Sequence, residues 1–252
     1  MPRRTHPLAA GFSLMELMVA LFLTAVMLLA MVQLVNAGAS TSRLQDEQAD
    51  LQGRLRFAAG SIFTAVSGAG FSPEPWNEAF ERAAIGTDSG DDVVFSSDRL
   101  VVRTWSDRNC FDSFNPDLDG SGQPRFYIRE SAFDLNGSNF LTRTCRYGPS
   151  PTGLVTQVRR QGLLAGVEAF HLLFGEDVNA DGDIDRWVAA GRWSDERAIK
   201  GIRAGIVLAG EASVTEPRAQ SFELPGAEHR GGRDGRLRHA VELGYSIRSR
   251  CR

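Results

Sequence analysis

The chain has 252 residues, enough for one full-sized globular domain and an appended segment. Hydrophobic residues make up 42% and charged residues 23%, and the net charge is −3. That mild acidity gives no reason to expect nucleic acid as the main partner. The average hides two unlike parts, because residues 12–40 are almost uncharged and the remainder is an ordinary soluble mixture.

The chain opens with Met-Pro-Arg-Arg-Thr-His-Pro-Leu-Ala-Ala-Gly, a short leader carrying Arg3 and Arg4. From Leu14 to Val35 every residue is apolar except Glu16, Thr24 and Gln33. These are about 22 residues, or roughly 33 Å of helix, which matches the hydrocarbon core of a bilayer. With the arginines ahead of the span, the leader stays cytoplasmic and the rest is exported. An ordinary secretory signal has a shorter apolar core and a cleavage site after it, and no such site follows here. The plainer alternative is an uncleaved signal anchor.

Glu16 argues against a plain anchor. A carboxylate inside a membrane span costs roughly 2.5–3.5 kcal/mol at the helix centre and less near an end. It needs a cation. Cleavage after Gly11 would leave Phe12 with a free amine, four residues before Glu16. In a stack of identical helices the amine of one chain neutralises the glutamate of its neighbour, and a buried polar pair of that kind fixes axial register.

The run Gly11-Phe12-Ser13-Leu14-Met15-Glu16-Leu17 resembles the type IV prepilin cleavage and methylation motif. In that family a prepilin peptidase cuts after the glycine and methylates the new amine. The resemblance implies that Gly11 and Phe12 are the processing site and Glu16 the assembly residue. Many type IV pilins carry a proline part-way along the span; this chain has none between Pro7 and Pro73.

Beyond the span the helix is expected to continue. Leu44, Leu51, Leu55, Ala58, Ile62 and Ala65 fall at steps of seven, four and three, one helical face. Gly68, Gly70 and Pro73 stop it. The expected segments are therefore a leader over 1–11, a membrane-spanning assembly half over 12–36, an amphipathic half over 37–70 and an exported head over 71–252.

In the head, residues 92–97, 100–105, 125–128, 154–159, 167–174, 202–209 and 238–248 read as strands. The last is clearest, because Val241, Leu243, Tyr245 and Ile247 alternate with polar or small residues. The glycine-rich stretch 226–235 reads as a mobile loop. The fold class is α+β, a long N-terminal hydrophobic helix packed on an antiparallel β-sheet head, as in pilins. Of three cysteines, Cys110 and Cys145 lie beside strand-like segments and are favoured as a disulfide in an exported head. Cys251 is then free, or replaces one of them.

The stretch Asp177-Val178-Asn179-Ala180-Asp181-Gly182-Asp183-Ile184-Asp185 places oxygen side chains at alternate positions around a glycine, like the opening of a calcium loop. Val188 stands where such a loop closes on a bidentate glutamate. Calcium on Asp177, Asn179, Asp181, Asp183 and Asp185 and a solvated acidic turn both remain open. Asn115, Asp117 and Asp119, with Gly120 and Gly122, form a weaker copy.

Along the rest of the chain, Arg54-Leu55-Arg56-Phe57-Ala58, Ser97-Asp98-Arg99-Leu100-Val101-Val102-Arg103, Gly166-Val167-Glu168-Ala169-Phe170 and Ile202-Arg203-Ala204-Gly205-Ile206-Val207-Leu208 resemble the PilW family of minor pilins. The resemblance implies a protein that co-assembles with other major and minor pilins to initiate or cap a type IV pilus. Its further partners would be the prepilin peptidase, an inner-membrane assembly platform and, before assembly, the lipid bilayer. The chain would sit in the inner membrane with its head in the periplasm, then in the pilus at the cell surface. The alternatives are a minor pseudopilin of a type II secretion system, which shares the N-terminal motif, and a tip subunit that adheres to a surface or binds DNA. Arg230, Arg233, Arg236, Arg238, Arg248, Arg250 and Arg252 are the basic residues such a nucleic-acid patch would use. No nucleophile elbow, phosphate loop or zinc motif occurs, so the sequence offers no candidate for catalysis.

Overall fold

The computed structural model describes residues 13–74, 84–86, 88–94 and 97–247. One helix, α1 (Leu14–Ser67), opens the described chain. No proline interrupts it, and it stops at glycine as expected: Gly70 takes φ +73°, and its amide donates to the Arg103 carbonyl at 2.8 Å. Met1–Asp46 and Glu47–Arg252 form two compact units, so the helix residues from Glu47 onward belong with the head.

The strands are β1 (Gly90–Val94), β2 (Ser97–Ser106), β3 (Tyr127–Leu135), β4 (Phe140–Gly148), β5 (Val155–Ala165), β6 (Val167–Glu176), β7 (Arg186–Val188), β8 (Ile199–Ser213), β9 (Gln220–Leu224), β10 (Ala227–Gly231) and β11 (Arg236–Ser246). Among the described residues they make a five-stranded sheet in the order β1-β2-β3-β4-β5, a four-stranded sheet β11-β8-β6-β7 and the β9–β10 hairpin. Every pairing is antiparallel. This is the α+β pilin-type architecture expected from the sequence.

The helical face read from the sequence is the buried face. Leu51, Leu55, Ala58, Ile62 and Val66 lie in one apolar core with Leu100 and Phe133 of the first sheet and Phe170, Ile202 and Ile206 of the second. Tyr245 closes the far side of that core, its hydroxyl donating to the Ala59 carbonyl at 3.3 Å. Polar contacts fasten the same helix. Glu47 accepts the Glu211 amide at 2.7 Å, and Arg54 donates to the Ala165 carbonyl at 2.5 Å. A side chain at Gly210 would collide with the Glu47 carboxylate.

The two sheets are joined by side chains rather than by a ladder. The Phe170 and Leu172 amides of β6 donate to Ser97 Oγ at 3.3 Å and Asp98 Oδ2 at 2.6 Å, which covers part of an exposed strand edge. β5 passes into β6 through Gly166, where the φ of +77° favours glycine and an added Cβ would lie 2.6 Å from the Ala209 carbonyl oxygen.

The hairpin corrects one expectation. Residues 226–235 read as a mobile loop, yet half of them form β10, paired residue for residue with β9. The turn is Leu224-Pro225-Gly226-Ala227 with Gly226 at φ +79°, the Pro-Gly chemistry of a type II turn. Leu224 and Phe222 pack on Ala169 and Val207, so the hairpin covers the outer face of the second sheet.

Candidate functional site

Gly11 and Phe12 lie outside the described residues, as do His6, Trp76 and Cys251. Glu16 stands in the first turn of α1. Around it the surface is oily: residues 13–43 are all exposed, with Leu14 at 77%, Phe22 at 68% and Leu34 at 75%. The helix is long and apolar enough to cross a membrane, with a mean hydropathy of 2.5 over its best window. So large a bare apolar surface needs lipid or other helices to cover it.

Cys110 and Cys145, the pair favoured from the sequence, are joined by a disulfide with a Cα–Cα distance of 5.9 Å. It ties the long β2–β3 connection to β4. Asn115, in that connection, is buried and donates to the carbonyls of Ser106 at 2.8 Å and Arg125 at 2.9 Å. Asp117 accepts the Tyr127 hydroxyl. Asp119 accepts from the Ser121 hydroxyl and the Ser121 and Gln123 amides, and these bonds hold its carboxyl below the usual range. The three residues of the weaker acidic motif thus each brace a different part of the connection.

The second acidic loop joins β6 to β7. Asp177 is buried, and its Oδ2 accepts the Gly182 amide at 3.0 Å and faces the Lys200 ammonium at 3.6 Å. Asn179 Oδ1 accepts the Asp181 amide at 2.9 Å, and Asp181 Oδ1 accepts the Asp183 amide at 2.9 Å. Asp185 Oδ2 accepts the Val178 amide at 2.7 Å. Ala180 and Gly182 take φ of +62° and +101°, which tightens the loop. Asp183 is exposed. Among the described residues no three His, Cys, Asp or Glu side chains converge as a metal-binding group.

Sequence reasoning missed the residue that anchors this loop. Glu176 is fully buried at the end of β6. Its carboxylate accepts from Arg186 Nε at 2.9 Å, the Ser194 amide at 2.6 Å, the Ser194 hydroxyl and the Asp195 amide at 3.2 Å. Burial alone would raise its pKa; the Ser194 bonds and then Arg186 outweigh burial and hold it at about 2. A glutamate flanked by a strand and an acidic loop gives no sequence signal for this role.

A second missed cluster reaches across β8, from Glu168 of β6 to Arg236 and Arg238 of β11. Glu168 accepts from Arg236 at 2.8 Å and Arg238 at 2.7 Å, and His229 Nε2 lies 3.3 Å away. Burial pushes the Glu168 carboxyl up, but Arg238 and then His229 bring it below the usual range. Arg238 is fully buried and also binds Asp234 at 2.9 Å. Two of the arginines read as a basic patch are therefore engaged inside the head. Arg248, Arg250 and Arg252 lie outside the described residues.

Among the described residues, His171, Trp187 and Trp193 take paired or packed places. His171 Nδ1 lies 3.5 Å from Asp98. Trp187 stacks under Arg203 at 4.3 Å, and the Trp193 ring meets Phe174 edge-on at 5.1 Å.

Residues 125–249 match the family model described as Type IV Pilus-assembly protein W, PilW. This is a type IV pilin-like protein of the PilW family. The match covers β3 to the end of β11, the part that carries both acidic anchors and the aspartate loop. A type IV-like pilin from Thermus thermophilus has a similar structure, with a TM-score of 0.53. At 14% identity it covers 80% of this chain and 97% of its own, and the likeness speaks for the fold. No curated protein matches the chain. The family and the fold of this PilW-family chain are those of structural pilin proteins, and the apolar helix fits membrane anchoring and pilus assembly.

Proposed function

We propose that this PilW-family protein is a minor pilin that co-assembles with other pilins to initiate or cap a type IV pilus. One observation carries the reading. Glu16 is a carboxylate in the first turn of a helix whose first thirty or so residues expose little but apolar surface. In a bilayer or in a bundle of like helices that charge is costly unless an opposite charge meets it. Cleavage after Gly11 by a prepilin peptidase gives Phe12 the amine that supplies it. The bilayer holds the unassembled chain in the inner membrane, with the head on the periplasmic side, until an assembly platform moves it into the filament. The head works by packing, without catalysis.

The test is mass spectrometry of the chain purified from cells with an active prepilin peptidase, with pull-down of other pilins. The expected chain begins at Phe12, carries N-methylation and brings down other pilins. Glu16→Ala is expected to lower recovery in sheared filaments at least tenfold while the head keeps its melting temperature. A chain that still begins at Met1, or an alanine variant recovered as well as wild type, overturns the reading. Recovery with secretion-system pseudopilins instead of pilins selects the type II secretion alternative.

A further inference from the structure

We propose that the loop from Asp177 to Asp185 is a calcium site whose occupancy is held down by Lys200. The inference does not depend on the pilin reading, since it concerns only the β6–β7 end of the head.

The Asp177 side chain is only 1% exposed and is turned into the loop, its Oδ2 on the Gly182 amide. Its other oxygen, Oδ1, is buried and has no hydrogen-bond partner. A buried carboxylate oxygen without a donor is costly, and a cation is the ligand that would satisfy it. The neighbouring contacts point the same way. The neutral amide of Asn179 is placed between two carboxylates, donating to Asp181 Oδ2 at 2.9 Å and Asp185 Oδ1 at 3.4 Å. One amide group between two negative charges stabilises them less than a divalent ion would.

The side-chain donors are hard oxygens, from carboxylates and one carboxamide. That set suits calcium rather than zinc or copper, which favour nitrogen and sulfur. The irregular spacing suits calcium better than magnesium, which demands near-octahedral geometry and gives up its waters reluctantly. Among the described residues no three acidic side chains converge in the loop, so Asp177, Asp181 and Asp185 would close on the ion and Asn179 would turn its carboxamide oxygen toward it, with Asp183 adding charge from the exposed side.

Lys200 sets the affinity. Its ammonium lies 3.6 Å from Asp177 Oδ2, on the opposite oxygen from the unpartnered one. It supplies part of the positive charge when no ion is present and repels an ion that arrives. With no bidentate glutamate closing the loop, the affinity belongs in the range of weak extracellular sites, about 0.1–1 mM. Calcium at such levels outside the cytoplasm would rigidify this end of the head, and chelation would loosen it.

The full chain, purified with a chelator and held in detergent micelles, is melted across a calcium chloride titration. The expected result is a saturable rise in Tm of about 3–5 °C at tenfold excess over Kd. Magnesium chloride at the same concentrations should give less than half the rise. Asp181→Asn keeps an oxygen for the Asp183 amide, so its calcium-free Tm should stay near wild type while the midpoint moves at least tenfold higher. Lys200→Met should move the midpoint at least threefold lower. A flat titration to about 10 mM, well above the range of such sites, in both wild type and Lys200→Met overturns the proposal. So does an equal rise with magnesium, or a calcium response that Asp181→Asn leaves intact.

Discussion

Glu176 shows how much one unremarked side chain can govern. It sits fully buried with an arginine, a serine hydroxyl and two backbone amides on its carboxylate. Its folded pKa is about 2, below the unfolded value of 4.5. A depressed carboxyl pKa means that the folded state holds its charge more firmly than the unfolded chain does. The stabilisation is therefore complete above about pH 5 and is lost as pH falls toward 2. For this shift it is worth on the order of 3 kcal/mol. Glu176→Gln should cost that much near pH 7, and the gap between variant and wild type should close as acid is added. Denaturant melts at pH 7, 4 and 2.5 check this, and a gap that stays constant with pH refutes it. The sequence displays the loop that Glu176 anchors, because aspartate, asparagine and glycine at alternate positions are visible locally. It does not display Glu176 itself, whose partners Ser194 and Asp195 lie on the far side of β7 and become neighbours only in the folded sheet. Arg238 was hidden for the same reason, buried on a strand where it reads as one more surface charge.

At the scale of elements, legibility followed local pattern. The face of α1 and the alternation of β11 were clear: the structure buries Leu51, Leu55, Ala58, Ile62, Tyr245 and Ile247 and leaves Leu44, Ala65, Val241 and Leu243 of the same faces half-buried. Strands that alternate less cleanly were missed. β4 carries arginines on both faces, and its best signal was the turn before it, where Asn136 Oδ1 accepts the Ser138 and Phe140 amides. An Asn-Gly pair between strand-like runs is a hairpin signature, and Pro225-Gly226 is another. β4 is also where the disulfide lands, 35 residues after Cys110. Closing a loop of that length stabilises by about 3–4 kcal/mol in the chain-entropy picture. Paired Cys110→Ser and Cys145→Ser substitutions should lower stability by roughly that amount. They should also admit protease first between β2 and β3, where Phe111, Phe114 and Leu118 are exposed. First cuts at another site would mean that Asn115 and the Asp119 turn hold the connection without the disulfide.

At the scale of the whole molecule, the sequence divides the chain by composition, and the structure divides it by packing. The compositional change from apolar span to ordinary helix comes near residue 36, and the helix ends at Ser67. The compact head nevertheless begins at Glu47, in the middle of that helix. The reason is energetic. Leu51, Leu55, Ile62 and Val66 are at most 6% exposed and lie in the same core as both sheets. At ~1.5–3 kcal/mol for each large side chain, those four supply on the order of 6–12 kcal/mol. That rivals the entire stability of a typical domain, about 5–15 kcal/mol. The polar ties of Glu47 to β8 and Arg54 to Ala165 add to it. The second half of α1 is thus a core element of the head and not a stalk beneath it. A chain starting at Arg43 should therefore fold as a soluble, cooperatively melting domain with its disulfide formed. A chain starting at Phe71 keeps every strand but lacks the helix, and should aggregate or bind hydrophobic dyes strongly without a cooperative melt. If the shorter chain melts as sharply as the longer one, the two sheets form their own core and the place given to the helix here is wrong.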